Sequence, residues 1–211
     1  MVQNYQILLD REIEKITAGG TKPRLLLHVC CAPCSSYVLE YLSRYFDITA
    51  YFYNPNISPE SEYRYRAEEL VRLSREMLLS SPVSCQIETY TPAEFTSIAK
   101  GLENEPEGGV RCTACYRLRL AQTAKIAARD GYDYFTTTLS ISPLKDAVRL
   151  NTIGGELAAE VGVPYLFSDF KKREGYKRSI QLSTEYDLYR QDYCGCAYSK
   201  AESERRKQNK I

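Results

Sequence analysis

The stretch Leu25-Leu26-Leu27-His28-Val29-Cys30-Cys31-Ala32-Pro33-Cys34 decides the fold. From Leu25 to Val29 the run is apolar on both alternating faces, interrupted only by His28. That pattern belongs to a strand covered on both sides, as in parallel sheets. Ala32-Pro33 turns the chain, and residues 34–45 read as a helix. Outward from there the grammar repeats. Ile48 to Tyr53 reads as a second strand, ended by Asn54-Pro55-Asn56. Ser58-Pro59-Glu60 opens a long helix to about Leu79, with Pro59 suited to its first turn. Val83 to Thr89 reads as a third strand, and Thr91-Pro92-Ala93-Glu94 as the capping box of a short helix. A helix from Cys112 to Ala128, capped by Gly131, precedes a fourth strand, Tyr132 to Thr138. Ser142-Pro143 opens a helix to about Val161, and Val163 to Phe167 reads as a fifth strand. Residues 3–17 form an amphipathic helix in front of this core, and the end of the chain is helical with a polar tail, Ser199 to Ile211.

Strands alternating with helices imply right-handed crossovers. The expectation is one α/β domain over residues 1–211, a mostly parallel sheet of about five strands flanked by helices. It is Rossmann-like, or adenine-nucleotide-hydrolase-like. Residues 1–20 carry the first helix, 21–170 the core and 171–211 a helical C-terminal segment. In such sheets ligands bind beyond the carboxyl ends of the strands. His28 to Cys34, Thr136 to Lys145 and Asp169 to Arg178 all fall there.

With 211 residues, 44% hydrophobic and 26% charged, the composition is that of a globular domain and excludes a disordered chain, a fibre or a membrane bundle. Lys plus Arg number 28 and Asp plus Glu 27, so a net charge of +1 gives no global argument for a nucleic-acid partner. No window reaches the ~20 apolar residues of a membrane helix. The N-terminus lacks a signal-peptide pattern, and a cytoplasmic location is expected, where thiols stay reduced.

Eight cysteines and one histidine set the chemistry. Zinc sites needing two or three histidines are excluded, so a metal site is mainly thiolate, zinc or iron–sulfur. Cys30, Cys31 and Cys34 form CCxxC at a strand-to-helix junction. Cys112 and Cys115 form CxxC opening a helix. Thiolates at helix N-termini are stabilised by free N–H groups and the dipole, and metal ligation needs the deprotonated form. Two such pairs supply four thiolates, a full set for zinc or a 4Fe–4S cluster. Cys194 and Cys196 form CxC, whose disulfide would close a small, strained and easily reduced ring. They read as a redox pair, as further ligands or as inert thiols. Cys85, alone in a strand, reads as a small buried apolar residue. Cys31-Ala32-Pro33-Cys34 between strand and helix also matches a thioredoxin-like redox site.

Seven segments in order resemble the QueH-type epoxyqueuosine reductases. They are His28-Val29-Cys30-Cys31-Ala32-Pro33-Cys34, Tyr51 to Ile57, Glu107 to Cys115, Thr136 to Leu139 with Ser142-Pro143 and Lys145, Asp169-Phe170-Lys171, Gly175-Tyr176, and Leu188 to Cys196. The resemblance implies reduction of an epoxide on the cyclopentane ring of a tRNA wobble nucleotide to an alkene, with loss of water. It implies a 4Fe–4S cluster on Cys30, Cys31, Cys112 and Cys115 and a redox-active disulfide of Cys194 and Cys196. Some relatives hold an additional mononuclear iron by an aspartate where this chain has Cys34. An electron donor, not identified by the sequence, is a further partner.

Candidate proton donors are His28, Asp169, Lys171 and Tyr176. Lys171, Lys172, Arg173, Lys177 and Arg178 form a local basic patch, and Arg205, Arg206, Lys207 and Lys210 a basic tail. Lys172, Arg173, Lys177, Arg178 and Arg190 are the candidate tRNA contacts, through phosphates, with tyrosines stacking on splayed bases. Glu62-Tyr63-Arg64-Tyr65-Arg66 reads equally as a helix face. Two other functional classes remain open here, a zinc-stabilised RNA-binding module and a thioredoxin-like thiol oxidoreductase. A tRNA-thiolating enzyme would need a glycine-rich phosphate loop after the first strand, where this chain has no glycine.

Overall fold

The computed structural model describes residues 3–208. The chain runs α1 (Tyr5–Gly19), β1 (Arg24–His28), α2 (Ala32–Leu42), β2 (Asp47–Phe52), α3 (Glu60–Glu76), β3 (Ser84–Ile87), α4 (Pro92–Ala99), α5 (Val110–Arg129), β4 (Tyr134–Thr137), a 3₁₀ turn (Thr138–Ile141), α6 (Ala147–Val161), α7 (Gly175–Glu185) and α8 (Ala197–Gln208). The sheet order is β3-β2-β1-β4, every pair parallel. Leu26 faces Thr49 on one side and Phe135 on the other, so β1 is central.

The alternation of β1 builds two cores. Leu25, Leu27 and Val29 pack with Leu9, Val38, Leu39 and Leu70 under α1, α2 and α3. Leu26 packs with Tyr116, Leu120, Leu150 and Ile153 under α5 and α6. A strand covered on both faces is what its unbroken apolar run requires.

Four of the five expected strands form. The fifth segment, Val163 to Phe167, makes only a bridge between Tyr165 and Phe135. Side chains take its next ladder partners. Thr136 Oγ1 donates to the Leu166 carbonyl at 2.8 Å, and the Ser168 N–H donates to Asn151 Oδ1 at 2.9 Å. The helix expected from Ser142 begins instead at Ala147, because Asp146 is its cap and accepts from the Arg149 N–H at 3.0 Å. Residues 142–146 are therefore a loop, which frees Lys145 to point elsewhere. The expected capping box at Thr91 is not made, since Glu94 accepts instead from the Tyr53 hydroxyl. Pro59 sits at the N-cap of α3, one position before its first turn. The polar tail is helical as far as Gln208, and Lys210 lies outside the described residues.

Candidate functional site

β2 lies to one side of β1 and β4 to the other, so a crevice opens at the carboxyl ends of β1 and β4. The loop leaving β1 enters it with Cys30, whose N–H donates to Thr138 Oγ1 at 3.4 Å. Cys31 is the N-cap of α2 in extended backbone, and Cys34 lies in the first turn. The three sulfurs lie within 4.8 Å of one another, with Cys30 Sγ and Cys31 Sγ 3.8 Å apart. Hydrogen bonds from the Cys31 and Cys34 thiols hold Cys30 well below the ordinary thiol range, helped by the Arg119 guanidinium and the Thr138 hydroxyl. Sharing its proton with Cys30 pushes Cys31 up to about 12, and Cys34 is raised for the same reason. The three sulfurs compete for protons, with Cys30 the most acidic, and metal ligation would require all three as thiolates.

Helix α5 brings the second pair. Cys112 Sγ accepts from the Gly108 N–H at 3.2 Å, and Cys112 packs in the same apolar cluster as Cys30. Cys115, one turn on, is buried, which pushes its thiol up to about 11. It packs with Phe95, Cys194 and Cys196.

The third pair arrives from the C-terminal segment. Gly195 has φ +112°, and its carbonyl accepts from the Ser58 N–H at 2.9 Å. A Cβ there would meet Ile57 Cγ1 at 2.9 Å, so glycine allows this close approach. Cys194 Sγ and Cys196 Sγ are 3.6 Å apart, a hydrogen-bonding separation and not a bond. The expected disulfide is thus absent among the described residues, and both cysteines are free thiols. A hydrogen bond from Cys196 and the charge of Lys145 hold Cys194 well below the ordinary range, while Cys196 is raised.

These groups border one cavity of about 350 Å³, lined by Cys30, Cys31, Cys34 and Cys194 together with apolar Leu139 and Ile141. Two buried guanidinium groups flank it. Arg66 pairs with Glu62 through Nε at 2.7 Å and lies over the Tyr193 ring. Arg119 is buried, and among the described residues no carboxylate partners it. It donates from Nη2 to Asn54 Oδ1 at 2.6 Å and from Nε toward His28 Nε2 at 3.3 Å. Lys145 pairs with Glu107 at 3.2 Å on the cavity wall.

The candidate proton donors separate. His28 is fully buried, outside the cavity lining, with Nδ1 2.8 Å from Thr137 Oγ1. Burial and the Arg119 charge push its imidazole down to about 3, so it is neutral and holds the β1–β4 junction together. Asp169 and Lys171 pair with each other at 2.7 Å away from the lining. Tyr176 and Arg190 do line the cavity. Of the expected RNA contacts, Arg173 pairs with Asp10, Lys177 with Glu174 and Arg178 with Glu40, while Lys172 is exposed without an ion-pair partner among the described residues. In the basic tail Arg206 pairs with Glu107 and Lys207 with Asp192.

Comparison with known proteins agrees with the cysteine geometry. The family described as epoxyqueuosine reductase QueH matches residues 25–202. The chain belongs to the epoxyqueuosine reductase QueH family. It is 45% identical over 200 residues to the epoxyqueuosine reductase QueH of Staphylococcus epidermidis, covering 93% of this chain and 84% of that one. It is 42% identical to that of Streptococcus pyogenes, over 94% and 80% of the two chains, and 34% identical to that of Thermotoga maritima, over 83% and 89%. Within the matched residues, seven of the eight cysteines lie at or beside the crevice. Arg119 joins them with no sequence reading behind it, Glu107 and Lys145 join from motif segments that assign them no role, and Arg66 joins from a stretch that reads as a helix face or a binding element. A signal existed for Arg119, which lies four residues after Cys115 and so one helical turn along the same face. The donor set fits a metal centre, since the Cys30, Cys31 and Cys34 sulfurs span one coordination shell and buried cations offset thiolate charge.

Proposed function

We infer that this chain reduces epoxyqueuosine at the tRNA wobble position to queuosine. The observation that carries the reading is convergence. Cys30, Cys31, Cys34 and Cys194, from opposite ends of the sequence, border one cavity, with Cys112 and Cys115 packed behind. The family membership states the same activity.

The cofactor reading is an iron–sulfur centre held by Cys30, Cys31, Cys112 and Cys115, with Cys34 toward a further iron. When bound, such a centre supplies electrons at low potential. The chain's residues do the rest. Removal of the epoxide oxygen requires two electrons and two protons, breaks two C–O bonds and releases water. The Cys194–Cys196 dithiol stores two electrons and gives up two protons on oxidation to a disulfide. Arg66 and Arg119 offset the charge of the thiolates in low dielectric. Leu139 and Ile141 give the reacting ring an apolar wall. Tyr176 and Arg190 at the wall offer a stacking face and a cation to the extruded nucleotide. Lys172 adds a phosphate contact. The reducing cytoplasm suits free thiols.

The test is anaerobic purification, with iron and acid-labile sulfide counted per chain and an epoxyqueuosine anticodon hairpin assayed with dithionite. About four of each, with conversion to queuosine, is the expected result, and a fifth iron would place the further site near Cys34. Zinc without sulfide, and no conversion, overturns the reading in favour of a structural-metal RNA binder.

A further inference from the structure

We propose that Lys145 binds the epoxide oxygen of the substrate and strengthens that hydrogen bond as the oxygen leaves. The inference rests on the reductase reading above. Lys145 stands in the loop 142–146, which is fixed locally. The Lys145 N–H donates to the Ser142 carbonyl at 3.1 Å, and the Leu144 N–H to Ser142 Oγ at 3.2 Å. Its side chain is 8% exposed and lines the cavity beside Cys194.

An ammonium carries three N–H donors. Among the described residues Lys145 Nζ has one partner, Glu107 Oε1 at 3.2 Å. Glu107 is itself held from behind by α8, its Oε2 accepting from Ser199 Oγ at 3.3 Å and Arg206 Nη2 at 3.1 Å. The pair is therefore braced, and two donors of the largely buried ammonium remain on the cavity wall. A buried donor left over is an invitation to an acceptor. The other cations of the wall are guanidinium groups, each tied to neighbouring side chains or carbonyls, Arg119 to Asn54 and His28. Arg190 Nη1 donates to Ser183 Oγ at 2.9 Å and to the Ser179 carbonyl at 3.4 Å, and Arg66 donates to Glu62 and to the Cys194 carbonyl.

The epoxide oxygen is an acceptor in the substrate and is absent from the alkene product. As its two C–O bonds break, the carbon skeleton takes up the two electrons that the reductase activity supplies. The oxygen takes up two protons and departs as water. Negative charge grows on that oxygen on the way, and a fixed ammonium in low dielectric stabilises it. Lys145 thus contacts substrate and transition state but has nothing to hold in the product.

The experiment compares iron-loaded wild type with Lys145→Met and Lys145→Gln, kept anaerobic without reductant. Each is titrated with an anticodon hairpin bearing epoxyqueuosine and with the same hairpin bearing queuosine. In wild type the epoxide hairpin binds more tightly. Lys145→Met weakens the epoxide hairpin about tenfold and leaves the queuosine hairpin within about twofold. Lys145→Gln, with a donor but no charge, gives an intermediate ratio and decides the matter if the Met protein does not take up its iron. With dithionite added, kcat falls about a hundredfold or more while KM changes far less. An unchanged binding ratio in the variants, or equal weakening of both hairpins, overturns the role of Lys145. Wild type that fails to convert the epoxide hairpin overturns the reductase reading instead.

Discussion

Arg119 Nε lies 3.3 Å from His28 Nε2 in the protein interior, and the same guanidinium reaches Asn54 Oδ1 at 2.6 Å. A buried cation beside a neutral imidazole, with no carboxylate partner among the described residues, needs negative charge from elsewhere. Cys30, whose thiol is held low, supplies part of it, and Cys115 would add the rest once deprotonated by metal ligation.

Arg119→Met should therefore loosen the metal more than the fold. Losing one partner of a buried charge pair costs about 3–5 kcal/mol. Dialysis against a chelator should strip iron from Arg119→Met faster than from wild type. Stripping should also lower the Tm of wild type more than that of the variant. Equal iron retention would remove the counter-charge role.

Gly195→Ala tests the docking of the CxC loop. Its φ of +112° is strained for alanine, and the new Cβ would crowd Ile57 and Arg66. The loop should lift, and alkylation of Cys194 and Cys196 by iodoacetamide should accelerate about tenfold for a cost near 1.4 kcal/mol. An unchanged rate would mean the loop accommodates the methyl in place.

Gly175→Ala tests the seat of α7, the helix that carries Tyr176 and Ser179 to the cavity. A Cβ there would lie 2.0 Å from the Phe170 carbonyl oxygen and 2.5 Å from Tyr37 Cε1. Overpacking of this kind costs about 1–3 kcal/mol, so the Tm should fall roughly 2–12 °C. A Tm within about 1 °C of wild type would contradict the packing.

Lys172→Ala and Arg178→Ala separate a free cation from a paired one. Arg178 donates to both oxygens of Glu40, at 2.6 Å and 3.0 Å. Lys172 has no such partner among the described residues. The slope of log affinity for the hairpin against log salt should drop by about 0.7–0.9 in Lys172→Ala. It should hold in Arg178→Ala. The reverse result would mean Glu40 releases Arg178 to the RNA.

Much of the site was legible because its chemistry is local. CCxxC and the Cys112–Cys115 CxxC announce thiolates at helix starts before any fold is known. What stayed hidden depends on burial. Arg66 sits in a stretch that reads as either a helix face or a binding element, and its side chain is 3% exposed because the CxC loop and Tyr193 close over it. His28 reads either as a candidate acid or as a strand-end histidine bonded to backbone, and its burial against Arg119 decides for the neutral brace.

By itself the sequence determined the α/β alternation, a first strand covered on both faces and the thiol-rich chemistry. These follow from period and spacing, which are properties of neighbours along the chain. Tertiary structure alone decided that Val163 to Phe167 stops at one bridge, because Thr136 and Asn151 capture its ladder partners from other elements. It alone decided that Lys145 faces the cavity, held by Glu107, with Cys194 alongside. Such outcomes depend on which groups from distant segments compete for the same hydrogen bonds and the same dry space, and no local pattern records that competition.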